Sequence, residues 1–475
     1  MFNVLHVSAE CSPFVKIGGL ADVVGSLPSE LKRLRGSEVR VFLPYYKAIP
    51  RKYKNKCEDI LNFRMSFAGQ VDMYVGVKQL KRGNILYYFI DNEFYFGARD
   101  KVYGYADEST RFAYYQLAVL EAIEYLDYKP DVIHVHDWHT GMIPLLIKTK
   151  YFDKIKAKTM LTIHNLAYQG IFPLEDYSLF GIKYDSRFEF EGFLNFLKAG
   201  IVTADGITTV SKTYASEILT DYFGYGMQNL LRQRGENLIG ILNGIDYSEF
   251  SPETDKFIKN NYSISDAKEG KLANKKALYK ELNVDFDLDK PVIGLISRLV
   301  SQKGIDLIKR VFDEMLEIDD FYFIVLGSGN QEYEDYFKAL EKSYPDKVKA
   351  FIGYSNKLAH MIYAGVDMFL MPSKFEPCGL GQIIALKYGT IPIVRETGGL
   401  VDTVEPYNEY EKLGNGFSFT NFNAHDMMHV IRYAMHLYYH NPESWDILIN
   451  HAMNCDFSWH QSAKLYRKAY KELLK

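Results

Sequence analysis

The chain has 475 residues, 47% of them hydrophobic and 24% charged, with a formal net charge of −4. That length exceeds what one hydrophobic core usually serves, so two domains are expected. Acidic and basic residues are mixed without a basic block, and no run reaches the roughly 18 apolar residues of a membrane span, so neither nucleic acid nor membrane is an expected partner.

The opening "MFNVLHVSAE" is strand-like and lacks a charged leader or a cleavage site. Cys11, Cys57, Cys378 and Cys455 are scattered with no metal spacing, so a reduced, cytoplasmic protein is the expectation. The 37 tyrosines suit sugar-stacking surfaces, or simply large side chains filling cores.

In chain order, short apolar runs alternate with helical periodicity, which predicts parallel α/β sheets. Candidate strands are "NVLHVS" (3–8), "EVRVFLP" (38–44), "DVIHVH" (131–136), "KTMLTIH" (158–164), "GITTVS" (206–211) and "NLIGILN" (237–243). The block 58–91 alternates like antiparallel strands and reads as an insertion beside the main sheet. Pro28 should kink or restart the helix that follows the first strand. After Asn-Gly and Pro punctuation near 243–253 and a polar stretch 254–289, the rhythm resumes. Its strands are "PVIGLISRL" (291–299), "FYFIVLG" (321–327), "VKAFIG" (348–353), "MFLMPS" (368–373) and "IPIVRET" (391–397). This predicts an N-terminal Rossmann-like domain over 1–243, a second over 244–456, and a C-terminal helix over 457–475. That helix should pack back on the first domain through Trp459, Ala463, Tyr466, Tyr470 and Leu473.

Open parallel sheets bind ligands beyond the carboxyl ends of their strands, so the residues there are the candidates. After the first strand, "KIGGLADVV" joins Lys16 to Gly18, Gly19 and Asp22, a combination that suits a phosphate or is only a tight turn into a helix. Its echo "ETGGLVDTV" places Thr397, Gly398 and Gly399 after a later strand. "HVHDWHTG" contains H-x-H-x-x-H, which could ligate zinc or iron. Asp137 and His139 read better as polar contacts to a sugar or acceptor. His164 and Asn165 end another strand. Arg298 and Lys303 bracket a turn into a helix where a diphosphate could sit. Glu376, in "KFEPCGLGQ", could bind sugar hydroxyls or offset positive charge at a glycosyl carbon. "DFDLD" (285–289) holds D-x-D twice but precedes a strand, so it reads as a solvated loop and no metal site is expected.

These motifs in this order, with "TIHNLAYQG", "LNGID", "SRLVSQKGIDL" and "GYSNKLAHMIYAGVDMFLMPSKFEPCGLGQ", resemble the bacterial glycogen synthases and the plant starch synthases related to them. The resemblance spans the chain. It implies a GT-B fold, two Rossmann-like domains facing across a deep cleft. It also implies a retaining transfer of glucose from ADP-glucose to the non-reducing end of an α-1,4-glucan, with no metal or other cofactor.

On this resemblance, Arg298 and Lys303 neutralise the leaving diphosphate, met also by Lys16, Gly18 and Gly19, with Asp22 in the same loop. Gly398 and Gly399 offer backbone N–H groups to the phosphates beside Thr397. Glu376, Cys378, Gly379 and Leu380 line the donor glucose. His164 holds that glucose with Asn165 and Asn243 nearby, Asp137 and His139 lie on the acceptor and donor-sugar side, and Tyr354 stacks on adenine. The catalytic group is thus Glu376, His164, Arg298 and Lys303. The chain departs from the family at Ile17, more often Thr. Eight residues after Glu376 stands Ile384, where many GT-B enzymes carry a second acid. A related transferase using UDP-glucose or another acceptor, and a non-catalytic nucleotide-sugar-binding protein, remain alternatives.

Overall fold

The computed structural model describes residues 2–475, the side chain of Glu236 apart. The chain divides into two compact units, one of Met1–Gly244 with Trp459–Lys475 and one of Ile245–Ser458.

In the first unit the strands are β1 (Phe2–Val7), β2 (Ser37–Pro44), β3 (Glu58–Phe67), β4 (Gln70–Arg82), β5 (Ile85–Asp91), β6 (Val132–His136), β7 (Lys158–Ile163), β8 (Ile171–Pro173), β9 (Glu189–Phe190), β10 (Phe193–Asn195), β11 (Gly206–Thr209) and β12 (Leu238–Gly240). β8 to β10 form a small antiparallel sheet. The other nine form one sheet in the order β12-β11-β7-β6-β1-β2-β5-β4-β3. All pairings from β12 to β5 are parallel. β1 and β6 are buried along most or all of their length, as strands covered on both faces must be.

The block 58–91 is not an insertion beside this sheet but its continuation. The chain reverses at β4 and again at β5, so β5 returns parallel to β2 and pairs with it from Arg40↔Leu86 to Pro44↔Ile90. Nor does Pro28 restart a helix: Gly19–Arg33 runs as one segment through it. Leu20, Val23, Val24, Leu27 and Leu31 of that helix are buried, and this packing outweighs one missing backbone bond. The C-terminal helix Trp459–Leu473 packs on Gly19–Arg33, burying Trp459, Ala463, Tyr466 and Tyr470, while Leu473 is only half-buried, against Gly206.

The second unit holds β13 (Val292–Leu299), β14 (Tyr322–Gly329), β15 (Val348–Ile352), β16 (Met368–Met371), β17 (Ile391–Arg395) and β18 (Phe417–Phe419). They are all parallel, in the order β15-β14-β13-β16-β17-β18. Counted from β13 this is 3-2-1-4-5-6, the doubly wound order of nucleotide-binding sheets. The parallel strands β5-β2-β1-β6-β7-β11 repeat that order in the first unit. The strand order therefore reverses between β1 and β6 in one unit and between β13 and β16 in the other, and ligands bind at such switch points. The polar stretch before β13 conceals a helix, Ala267–Leu282, with Lys271 and Lys275 buried. Lys271 donates to the Val366 carbonyl and Thr390 Oγ1, and Lys275 pairs with Asp367 at 2.9 Å.

Candidate active site

The switch point of the second unit contains a cavity of about 220 Å³, lined by Arg298 near the end of β13, by Lys303 in the turn that follows it, and by Ser373, Glu376, Gly379 and Leu380 after β16. Lys303 Nζ lies 2.5 Å from Glu376 Oε2, and Ser373 Oγ donates to the same oxygen at 2.9 Å. Glu376 is 7% exposed. A carboxylate that is this buried needs partners, and here it has a cation and a hydroxyl. Gly304, between Lys303 and the next helix, has φ +72°, and a Cβ there would meet the Pro372 carbonyl at 1.9 Å. Only glycine lets the lysine turn sit so close to the β16 segment. Tyr354 stands in the turn after β15 and is exposed.

In the second Gly-Gly turn the Gly399 amide is engaged within the protein. Gly399 N–H donates to the Glu376 carbonyl at 3.1 Å, so that amide is used by the protein and not held ready for phosphate. A Cβ on Gly398 would lie 2.0 Å from the Glu376 carbonyl oxygen, and one on Gly399 would lie 2.1 Å from that of Cys378. The turn braces the Glu376–Cys378 segment by packing on it. Thr397 and Cys378 are buried in this brace, and Gln382 Nε2 donates to the carbonyls of Cys378 and Gly379.

The first Gly-Gly turn is open instead: nothing lies within 4 Å of a Cβ on Gly18 or Gly19. Its amides are nonetheless partly engaged. Glu10 Oε2 accepts from Ile17 N at 2.7 Å and Gly18 N at 2.9 Å, and Glu10 Oε1 accepts from Tyr103 Oη at 2.8 Å. Lys16 Nζ lies 2.7 Å from Asp22 Oδ1. Glu10 escaped the sequence reading, although its position right after the first strand was a signal. Ile17 is exposed, so the missing hydroxyl removes no packing.

Asp137, His139, His164 and Asn165 follow the adjacent strands β6 and β7. Asp137 has φ +54° and ψ −169°, a region almost reserved for glycine, at a cost of roughly 1–3 kcal/mol. Its Oδ1 accepts from His164 N at 2.7 Å, which ties the ends of the two strands together. Burial pushes the Asp137 carboxyl up to about 7, against the backbone donors of His164 and Asn165. His139 is stacked on Trp138 and Tyr103, with its Nδ1 buried and unpartnered among the described residues. Asn243 is buried with Oδ1 likewise unpartnered.

The third histidine beside His134 and His136 is His6 on β1, not His139, and ring nitrogens of these three lie within 4.8 Å of one another. Five of their six ring nitrogens are already hydrogen-bonded, His6 Nε2 being the exception among the described residues. His134 uses both nitrogens, on Tyr470 Oη at 2.7 Å and Thr162 Oγ1 at 2.6 Å. His136 uses both, on His6 Nδ1 and His164 Nε2, each at 3.0 Å. The His134 and His136 rings are stacked 4.2 Å apart, an arrangement that does not converge lone pairs on one point. Burial holds His6, His139 and His164 down to about 3 and His134 and His136 well below the ordinary histidine value, so all five are neutral at pH 7. The "DFDLD" acids are exposed ahead of β13, at the opposite end of that strand from Lys303.

Two sheets of nucleotide-binding order, with a cationic pair and a buried carboxylate at the switch point of the second, define a GT-B glycosyltransferase. The family model "Starch synthase catalytic domain" matches residues 3–233, and "Glycosyl transferases group 1" matches 282–448. Glycogen synthase of Bacillus cereus (strain B4264) is 49% identical over 99% of this chain and 100% of its own length. That of Geobacillus stearothermophilus is 48% identical over 100% and 98%. The catalytic domain of starch synthase IV from Arabidopsis thaliana, bound to ADP and acarbose, superposes with a TM-score of 0.93 at 33% identity, covering 100% of this chain and 99% of that one. The chain belongs to the glycogen and starch synthase family. Among the described residues no helix is long and apolar enough to cross a membrane.

Proposed function

We propose that the protein moves glucose from ADP-glucose to the non-reducing end of an α-1,4-glucan, with retention of configuration, in the cytoplasm and without a metal or other cofactor. The observation that supports it most is the convergence of Arg298, Lys303 and Glu376 on one cavity at the switch point of the second sheet. In this reaction the bond from the glucosyl carbon to the diphosphate breaks, and a bond to the acceptor hydroxyl forms on the same face. The diphosphate gains charge as it leaves and takes up the acceptor proton. Arg298 and Lys303 stabilise that charge, a kind of contact worth roughly 10²–10³ in rate. Glu376 orients Lys303 and faces the donor sugar, where its charge offsets the positive glycosyl carbon. Lys16 and its open turn bind the diphosphate, Tyr354 the adenine, and His164 and Asn165 the donor glucose. Asp137 and His139 serve the acceptor and donor-sugar side.

The test supplies purified protein with a maltooligosaccharide and either ADP-glucose or UDP-glucose, with EDTA present throughout. ADP release with lengthening of the glucan supports the proposal. Transfer from UDP-glucose alone would change the donor, and transfer only after added Mg²⁺ or Mn²⁺ would overturn the metal-free mechanism.

A further inference from the structure

Three histidines from three neighbouring strands form one buried chain: His6 Nδ1 to His136 Nε2, then His136 Nδ1 to His164 Nε2, each at 3.0 Å. His6 and His136 are fully buried. The three are neutral, so each ring carries one N–H and one lone pair. The chain then has only two self-consistent states. In one, His6 donates to His136, His136 donates to His164, and His164 bears its proton on Nδ1. In the other, every bond is reversed, His164 bears its proton on Nε2, and His6 Nε2–H is left over.

The inner end of the chain decides between them. His6 Nε2 is buried and has no partner among the described residues. A lone pair without a donor is tolerated there more readily than an N–H without an acceptor, because orphaned buried N–H groups are the rarer kind. His164 Nδ1 is the only nitrogen of its ring that no protein group engages among the described residues, so it is the one a ligand can meet.

We propose that His136, oriented by His6, is a positioning residue that fixes His164 as an Nδ1–H donor to an oxygen of the donor sugar. This rests on the glucosyl-transfer function proposed above. The free imidazole ring can place its proton on either nitrogen, and a site built to donate to a sugar oxygen loses its bond in the wrong form. The relay removes that choice before substrate arrives. Asp137 fixes the backbone of the same residue through its bond to His164 N, so position and proton are set by separate partners.

The experiment uses the full-length protein labelled with ¹⁵N-histidine, with His164 assigned by the loss of its signals in His164→Asn. The expected spectrum shows a proton-bearing Nδ1 and a bare Nε2 at His164; a proton-bearing Nε2 would overturn the proposal. In His136→Phe the tautomer preference is expected to weaken and kcat to fall about tenfold or more, with ADP affinity unchanged within about twofold. His136→Asn, whose amide can donate from the place of Nδ1, is expected to recover both the tautomer and much of the rate. Equal rates in wild type and His136→Phe, or no difference between the Phe and Asn variants, would reject the relay. If the wild type transfers no glucose from any donor, the proposed function fails, while the spectrum still decides the tautomer.

Discussion

Lys303 Nζ and Glu376 Oε2 are 2.5 Å apart, although the residues are 73 positions apart in the chain. The cation expected on the diphosphate and the acid expected on the sugar are one ion pair at the mouth of two strands. Each therefore holds the other in position. Truncating either removes the ion-pair partner of a largely buried charge, although Glu376 keeps the Ser373 hydroxyl. Lys303→Ala and Glu376→Ala are expected to cut kcat/KM by about 10²–10³ or more while circular dichroism stays native. The double variant should lose less than the product of the two single losses, because the partners act together. Near-normal turnover in either folded single variant would contradict the roles assigned to the pair.

The two Gly-Gly turns should respond oppositely to alanine. Gly399→Ala drives a Cβ to 2.1 Å from the Cys378 carbonyl and should cost about 1–3 kcal/mol or more, displacing the segment that holds Glu376. Gly18→Ala has open space and should stay within about 1 kcal/mol of wild type in urea unfolding. Comparable stability losses at both sites would rule out the distinction between an open turn and a packed brace.

Glu10 holds the first turn through the amides of Ile17 and Gly18. Glu10→Ala removes the one oxygen that accepts from both amides and frees Tyr103 Oη from the same carboxylate. Donor KM is expected to rise about tenfold in steady-state assays, roughly the worth of one or two charge-assisted hydrogen bonds. An unchanged donor KM would show that Lys16 and its turn do not need this anchor.

The histidine cluster makes the first unit acid-sensitive. Five histidines whose folded values lie below the ordinary one stay neutral in the folded state, while the unfolded chain takes up protons below pH 6.5. Their contribution is complete above pH 6.5 and is lost as pH falls, at roughly 1.4 kcal/mol per histidine per pH unit. Asp137 has the opposite sign: its raised value makes the folded state hold a proton longer, so its contribution is present below pH 4 and lost by pH 7. The histidines outnumber it, and the unfolding free energy at pH 7 should exceed that at pH 5.5 by about 5 kcal/mol. Asp137→Asn should steepen that dependence. Urea titrations at the two pH values measure both, and a flat profile would refute the neutral cluster.

The C-terminal helix contributes a hydroxyl to that cluster. Tyr470→Phe leaves a nitrogen of His134 without its partner and should cost about 1–3 kcal/mol. A variant as stable as wild type in urea would mean that His134 does not depend on this helix.

The parallel strands of each unit and the residues at their carboxyl ends were legible in the sequence. A strand buried on both faces must be a short apolar run, and a loop that meets a ligand must break that run with glycine or charge. Arg298, Lys303 and Glu376 lie where that logic puts them. The helix Ala267–Leu282 was not legible, because Lys271 and Lys275 are buried where a periodic pattern needs apolar residues. The continuation of the sheet through β5 was hidden as well, since alternation in 58–91 reports faces and not partners.

By itself, the sequence determined which residues stand at the strand ends, because period and punctuation are local properties. Only the tertiary structure decided which of them meet. The register His6↔His134 brings a third histidine to β6, and the reach of Glu10 across the Ile17 and Gly18 amides makes one turn an anchored loop. The carbonyls of Glu376 and Cys378 make the other a brace. Two stretches that share Gly-Gly-Leu-x-Asp thus differ in use, because a glycine allows close approach while the surrounding chain determines what approaches.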